Sequence, residues 1–232
     1  LPLATDTAIM EGMLATVAGL VPPGIDLRVL PIQAVGKSDE HIFAPGTLTL
    51  PAPLLIETWV ALGAAAAAAG IRKLVIVNSH GGNEEVMGIV ARTLRVQHSM
   101  LVAKTSWLRF EHPENLYTPA ELRHGIHAGD VETSLMLHFR PDLVDMSAAR
   151  DFTSVAGRME EDYTHLRAHG RHAFAWMASD LNPSGAVGDA SAATAAKGEA
   201  SAQWQARGFV ELLKDMRAAD VDALLGTPEN GA

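Results

Sequence analysis

The sequence predicts an α/β fold: a single three-layer αβα domain over residues 1–232 with a central, mainly parallel sheet. Three observations predict it. Short apolar runs of strand length alternate with longer segments of helical spacing, the pattern of right-handed crossovers that leave helices on both faces of a sheet. The run Leu74-Val75-Ile76-Val77 is apolar on both faces, as a parallel strand covered on each side must be. Finally, 232 residues of which 48% are apolar can bury a sizeable core, and neither an internal repeat nor a clean linker divides them.

Taken in order, Thr5 or Asp6 is placed to cap a first helix with Ile9, Met13, Leu14, Val17 and Leu20 on one side, ending within residues 19–23. Residues 28–35 read as a strand, with Pro31 awkward for any central position. A polar loop from Gly36 to Thr47 follows, then a long helix from about Pro51 to Ala69 stopped by Gly70. Residues 73–77 form the next strand, Asn83 to about His98 a helix through Val86, Ile89, Val90 and Leu94, and residues 100–104 another strand. Residues 107–118 read as a loop, Gly125 to Phe139 as a loop and then a helix, and residues 141–171 carry little strand signal. A glycine-bearing turn, Pro183 to Asp189, leads to a last helix over about residues 192–216, with Asp189 or Ser191 as its cap.

Composition narrows the function. The formal charge of −9 has no basic stripe, which argues against nucleic acid or an anionic membrane surface as partner. Zero cysteines exclude disulfides and thiolate metal sites and leave any metal to histidine and carboxylate. The longest apolar run, Trp59 to Gly70, is mostly alanine and too short to span a bilayer, and no signal-peptide pattern is present. The expected location is the cytoplasm. The chain opens on Leu1-Pro2-Leu3-Ala4-Thr5-Asp6, which reads as the end of a strand-to-helix loop, so part of a natural N-terminus is expected to precede it.

Ligands of open α/β sheets collect beyond the carboxyl ends of the strands. His80 falls at that edge; Gly81 and Gly82 let the backbone turn sharply there, and Asn83 can cap the next helix or orient a ligand group. The plain alternative is a glycine turn with His80 at the surface. A second cluster, His124-Gly125-Ile126-His127-Ala128-Gly129-Asp130-Val131-Glu132-Thr133-Ser134, places Glu132 in the first turn of a helix, with Thr133 and Ser134 able to tie its carboxylate or the backbone. Imidazole and carboxylate together ligate zinc, manganese or iron and also serve as acid and base; alternatively Glu132 complements the helix dipole and His127 is a solvated loop residue. Asp6 is a helix cap or a ligand, and Glu40 and His41 can reach the same sheet edge from their loop. No Gly-x-Ser-x-Gly elbow, phosphate loop or His-Glu-x-x-His is present.

In order and spacing, five blocks resemble the creatininase (creatinine amidohydrolase) family: Leu1 to Asp6, Asp39-Glu40-His41-Ile42-Phe43-Ala44-Pro45-Gly46-Thr47, Asn78 to Asn83, His127 to Ser134, and Gly185 to Asp189 with Ala193 to Gly198. The resemblance implies a homo-oligomer, often a hexamer, and a hydrolase with two divalent ions (zinc, manganese or iron) acting on carbon–nitrogen bonds of small amides other than peptide bonds. By motif, Asp6 matches the bridging metal ligand, His80 a histidine ligand, His127 the proton-transfer histidine, and Glu132 a glutamate in or beside the metal centre with a part in catalysis. Asn83 and His41 are the candidates for holding substrate or oxyanion. Two departures stand out. The family has Glu-x-His just upstream of the Leu-Pro-Leu block, before this sequence starts, and creatininase proper has a glutamate where this chain has Gly82. The His-Gly-Gly-Asn form belongs to branches that include formamide-opening deformylases and a peptidase of mycofactocin maturation, so creatinine is not the expected substrate. The rival reading is a metal-free, inactive binding or assembly protein of the same fold; a nucleotide-binding protein is the weakest, for want of a phosphate loop. The alanine-rich helix from Pro51 to Ala69 offers a flat surface for oligomerisation.

Overall fold

The computed structural model describes residues 1–226. Along the chain come α1 (Thr5–Ala18), α2 (Ala52–Ala68), β1 (Lys73–Asn78), α3 (Glu84–His98), β2 (Leu101–Ser106), α4 (Pro119–His124), α5 (Asp130–Phe139), β3 (Asp151–Phe152), α6 (Val155–Asp162), α7 (Ala178–Leu181), β4 (Gly188–Asp189), α8 (Ala195–Ala218) and α9 (Val221–Leu225). β1 and β2 pair in parallel, from Lys73 opposite Leu101 to Asn78 opposite Ser106, with α3 as the crossover between them.

Successive side chains of β1 leave opposite faces, so one strand serves two cores. Val75 and Val77 pack on the cluster built by α1, α5 and α8, around Met13, Met136, Ala202 and Phe209. Leu74 and Ile76 pack with Val102 on the cluster of α2 and α3, around Leu55, Val90 and Leu94. That gives the three layers of the α/β prediction. Small residues set the spacing within each helical layer. A Cβ on Gly198 of α8 would collide with the backbone of Ser134 in α5, and one on Gly63 of α2 would meet the Leu94 side chain of α3, so each glycine marks a close helix–helix approach.

Several expectations need correction. Residues 28–35 run without a strand partner among the described residues. Pro31 has no N–H to give a ladder, and Val29 and Leu30 stay 58% and 48% exposed, so burial does not hold the segment in a sheet. The parallel sheet therefore has two strands among these residues, and a separate antiparallel pair, β3 with β4, joins Asp151 to Asp189 and Phe152 to Gly188. α1 starts behind Ala4 with no side-chain cap; the Thr5 hydroxyl instead donates to the Pro2 carbonyl. The last long helix is capped by Thr194, whose hydroxyl accepts from the Lys197 N–H, while Asp189 caps the short 3-10 turn before it. Within residues 107–118 a 3-10 turn covers Trp107–Phe110, and α4 follows directly on that stretch at Pro119–His124, where the sequence reading places no helix.

A cavity of about 1200 Å³ separates β1 from the 24–36 segment and is walled by α1 and α8 on one side and α2 and α3 on the other. Its upper end, past the carboxyl end of β1, reaches Asp6, His41, His80, Asn83, His127 and Glu132. No helix among the described residues is long and apolar enough to cross a membrane.

Candidate metal centre

The turn after β1 is fixed by two asparagines. Asn78, itself buried, accepts the His80 N–H on Oδ1 at 3.1 Å and donates Nδ2 to the His80 carbonyl at 2.5 Å. Asn83 accepts the Lys37 N–H at 2.8 Å and donates to Asn78 Oδ1 at 3.1 Å. Asn83 makes no side-chain cap to α3; it braces the 36–47 loop against the strand end and retains one amide hydrogen for a ligand. Through that brace the loop delivers Glu40 and His41 to His80.

His80 sits between two carboxylates. Its Nδ1 is 3.0 Å from Asp6 Oδ2 at the start of α1, and its Nε2 is 2.8 Å from Glu40 Oε1. Neither approach runs along an N–H direction, so both act as charge contacts more than as directed hydrogen bonds. Burial alone would lower the His80 pKa; the Asp6 and Glu40 carboxylates outweigh it and raise it to about 10. Glu40 is pushed up by burial but drawn below its ordinary value by His80. His41 Nε2 lies 3.8 Å from the same Glu40 oxygen, and burial lowers its pKa. Ligand atoms of Glu40, His41 and His80 all lie within 4.8 Å of one another.

The opposite wall is drier. His127 is held by a bridge to Val187, with the Val187 N–H on the His127 carbonyl at 2.6 Å and the Ile126 N–H on the Val187 carbonyl at 2.8 Å. Its ring is 4.3 Å, centroid to centroid, from His41 and 6.1 Å from Trp176, and its buried Nε2 has no hydrogen-bond partner among the described residues. Burial, then the neighbouring His41 and His80, pull its pKa down to about 4. Glu132 lies in the first turn of α5, as its position in the sequence predicts, and accepts the Ala128 N–H at 2.6 Å. Burial of the carboxyl, followed by the Asp6 charge, pushes its pKa up to about 7. Thr133 and Ser134 do not tie the Glu132 carboxylate: the Ser134 hydroxyl donates to Asp130 and accepts the backbone N–H of Thr194, and the Thr133 hydroxyl is buried without a partner among the described residues.

Asp6, His41, His80, Asn83, His127 and Glu132 thus converge from four separate stretches of sequence. Glu40 reaches the sheet edge from its loop beside His41, as the sequence allows, and takes a place against His80; Trp176 comes from a stretch without any motif and is not among the sequence candidates. The donor set suits a divalent cation. Imidazoles and carboxylates without thiolate are the ligands of zinc, manganese and iron, the protonated His80 lies between two anions, and His127, whose Nε2 is orphaned, lines the same cavity.

The family model described as creatinine amidohydrolase matches residues 1–213. The mycofactocin precursor peptide peptidase of Mycolicibacterium smegmatis is 33% identical over 204 residues, covering 86% of this chain and 72% of that protein. A crystal structure of creatinine amidohydrolase (creatininase) superposes with a TM-score of 0.71 at 22% identity, over 94% of this chain and 84% of the other. Two further creatininase structures, one a mutant of Zn-Zn type and one described as Mn, share the fold at a TM-score of 0.68 and 22% identity, over 91% of this chain and 83% of each. Sequence blocks, layered fold and family match coincide over the same residues, and the chain belongs to the creatininase family.

Proposed function

We propose that the chain is a metal-dependent amidohydrolase that cleaves the carbon–nitrogen bond of a small amide, whether a cyclic amide, a formamide or a linear amide, in a homo-oligomer. The observation that carries this is the convergence of Asp6, Glu40, His80 and Glu132 beside an unpaired, neutral His127. Asp6, His80 and Glu132 are the proposed ligands of two divalent ions, with Glu40 against the far nitrogen of His80. Ions bound there supply Lewis acidity and an acidified water.

The chain's own residues carry the protons. With a pKa near 4, His127 is neutral at pH 7 and begins as the acceptor on Nε2. It takes a proton from the attacking water as the water oxygen bonds to the carbonyl carbon, and passes that proton to the leaving nitrogen as the carbon–nitrogen bond breaks. Acid and amine are the products. His41, neutral at its depressed pKa and stacked edge-on to His127, together with the free amide hydrogen of Asn83, would hold the carbonyl oxygen. Since the Mycolicibacterium relative is named for a peptide, short peptides belong in the substrate panel beside formamides and cyclic amides. The test is elemental analysis of the purified protein together with that panel, on wild type and His80→Ala. Full metal content and full hydrolysis in His80→Ala would overturn the proposal.

A further inference from the structure

The segment that presents His127 is anchored by a carboxylate outside the metal centre. Glu121 in α4 is 7% exposed. Thr118-Pro119-Ala120-Glu121 has the spacing of a capping box, and the Thr118 hydroxyl does accept the Glu121 N–H at 3.1 Å. The Glu121 side chain does not reciprocate. It reaches across the fold, where Oε1 accepts the Val131 N–H at 3.3 Å and Oε2 accepts the Asp189 N–H at 3.0 Å. Three glycines make room for it: a Cβ on Gly125 would stand 2.6 Å from Glu121 Oε1, one on Gly188 would stand 2.8 Å from Oε2, and one on Gly129 would be closer still. Gly188 adopts φ +132°, a conformation that L side chains rarely adopt.

The two backbone segments tied by this carboxylate are the two that grip His127. Residues 125–131 carry the histidine, and residues 187–189 supply the Val187 bridge that fixes its backbone. One residue past His127, Ala128 is held at φ +52° with its N–H on Glu132 Oε2, an uncommon conformation for a residue with a side chain. We infer that Glu121 is a positioning residue: by clamping the Val131 and Asp189 amides, it holds His127 and the Ala128–Glu132 contact in place at the metal centre. Its catalytic consequence rests on the function proposed above; its mechanical consequence does not.

The experiment compares wild type, Glu121→Gln and Glu121→Ala at a temperature where all three are fully folded by circular dichroism. Mn²⁺ affinity is read by calorimetry and amide hydrogen exchange by mass spectrometry over residues 125–131 and 187–189. Glu121→Ala, which acts on Glu132 only through the neighbouring Val131 amide, is expected to weaken Mn²⁺ binding by up to about the tenfold at the low end for partners bonded directly to a ligand, and to accelerate exchange in both segments. Glu121→Gln, which keeps one carbonyl acceptor, is expected to fall between wild type and Glu121→Ala. A carboxylate that only stabilises the fold would lower the melting temperature of both variants and leave affinity and local exchange at wild-type values, which overturns the inference. If wild type itself binds none of Mn²⁺, Zn²⁺ and Fe²⁺, the proposed function fails, and exchange alone decides the role of Glu121: unchanged exchange over residues 125–131 in Glu121→Ala overturns it.

Discussion

The two walls of the candidate metal centre treat the same side chain in opposite ways. On the wall formed by the end of β1, His80 lies between Asp6 and Glu40, and its pKa rises to about 10; on the α5 wall, His127 meets no carboxylate directly among the described residues, and burial takes it down to about 4. The difference separates two tasks. A histidine between carboxylates offers its place to a cation, because a metal ion can replace the proton it holds at pH 7. A histidine kept neutral with an unpaired nitrogen can accept a proton during the reaction.

The most severe way to break this contrast is to delete each imidazole in turn. His80→Ala should reduce metal affinity by more than the roughly 10–100-fold attached to outer-shell partners, whereas His127→Ala should leave affinity near wild type and lower kcat by about 10²–10⁴. Calorimetry and steady-state kinetics on the two variants check this. Equal loss of metal in both would erase the division between the walls.

A titration sharpens it. In metal-free protein the raised pKa of His80 contributes stability that is fully present below about 6.5, its ordinary value, and is lost as pH rises towards about 10. Glu132, raised from 4.5 to about 7, loses its contribution in the same direction, between those two values. His127 works the other way: its contribution is present above about 6.5 and is lost as pH falls through about 4. The melting temperature of metal-free protein should therefore fall from pH 6.5 to 9. Bound metal, which displaces the protons of His80 and Glu132, should stabilise progressively more over that range. A metal-free melting temperature that holds level or climbs from pH 6.5 to 9 would contradict these assignments.

The walls also differ in how much of them the sequence disclosed. β1 announces itself by Leu74 to Val77, its turn by Gly81-Gly82, and Asp6, His80 and Glu132 by their place at strand and helix ends, because local periodicity and helix-terminus chemistry decide those positions. Residues 28–35 misled because Val29, Leu30 and Ile32 satisfy a β pattern locally, while pairing depends on a partner edge that no local pattern encodes. The setting of His127 was the least legible part. It depends on Val187, Glu121 and Trp176, brought together by short turns and a six-residue helix whose periodicity is too brief to read. The spacing from Thr118 to Glu121 is that of a helix start, a signal the loop reading of residues 107–118 passes over, and it does not encode the direction in which the glutamate points.

Gly82 tests the first wall more gently. A Cβ there would lie 2.8 and 2.9 Å from the two Glu40 oxygens and closer to the Lys37 carbonyl. Gly82→Ala should therefore push Glu40 away from His80, cost about 1–3 kcal/mol of stability by overpacking, and move the His80 pKa down from about 10, while His127 stays where it is. Histidine NMR titration of metal-free protein reads both rings at once. An unchanged His80 would mean that Asp6 alone holds its charge.

The smallest expected effect is a control on the core that both walls share. Thr194 caps α8 by accepting the Lys197 N–H at 3.2 Å, and α8 packs against α5 with Gly198 on the backbone of Ser134. Thr194→Ala removes one cap and should cost about 1 kcal/mol, seen as a lower midpoint in urea with an unchanged slope. The next contact along the helix keeps this loss local: Lys197 still reaches Asp130 and the Ala192 carbonyl, so the start of α8 stays pinned to the start of α5. The titrations of His80 and His127 should both stay at their wild-type values in this variant. If either moves, the contrast between the walls derives from the seating of α8 under α5 rather than from the charges and burial around each ring.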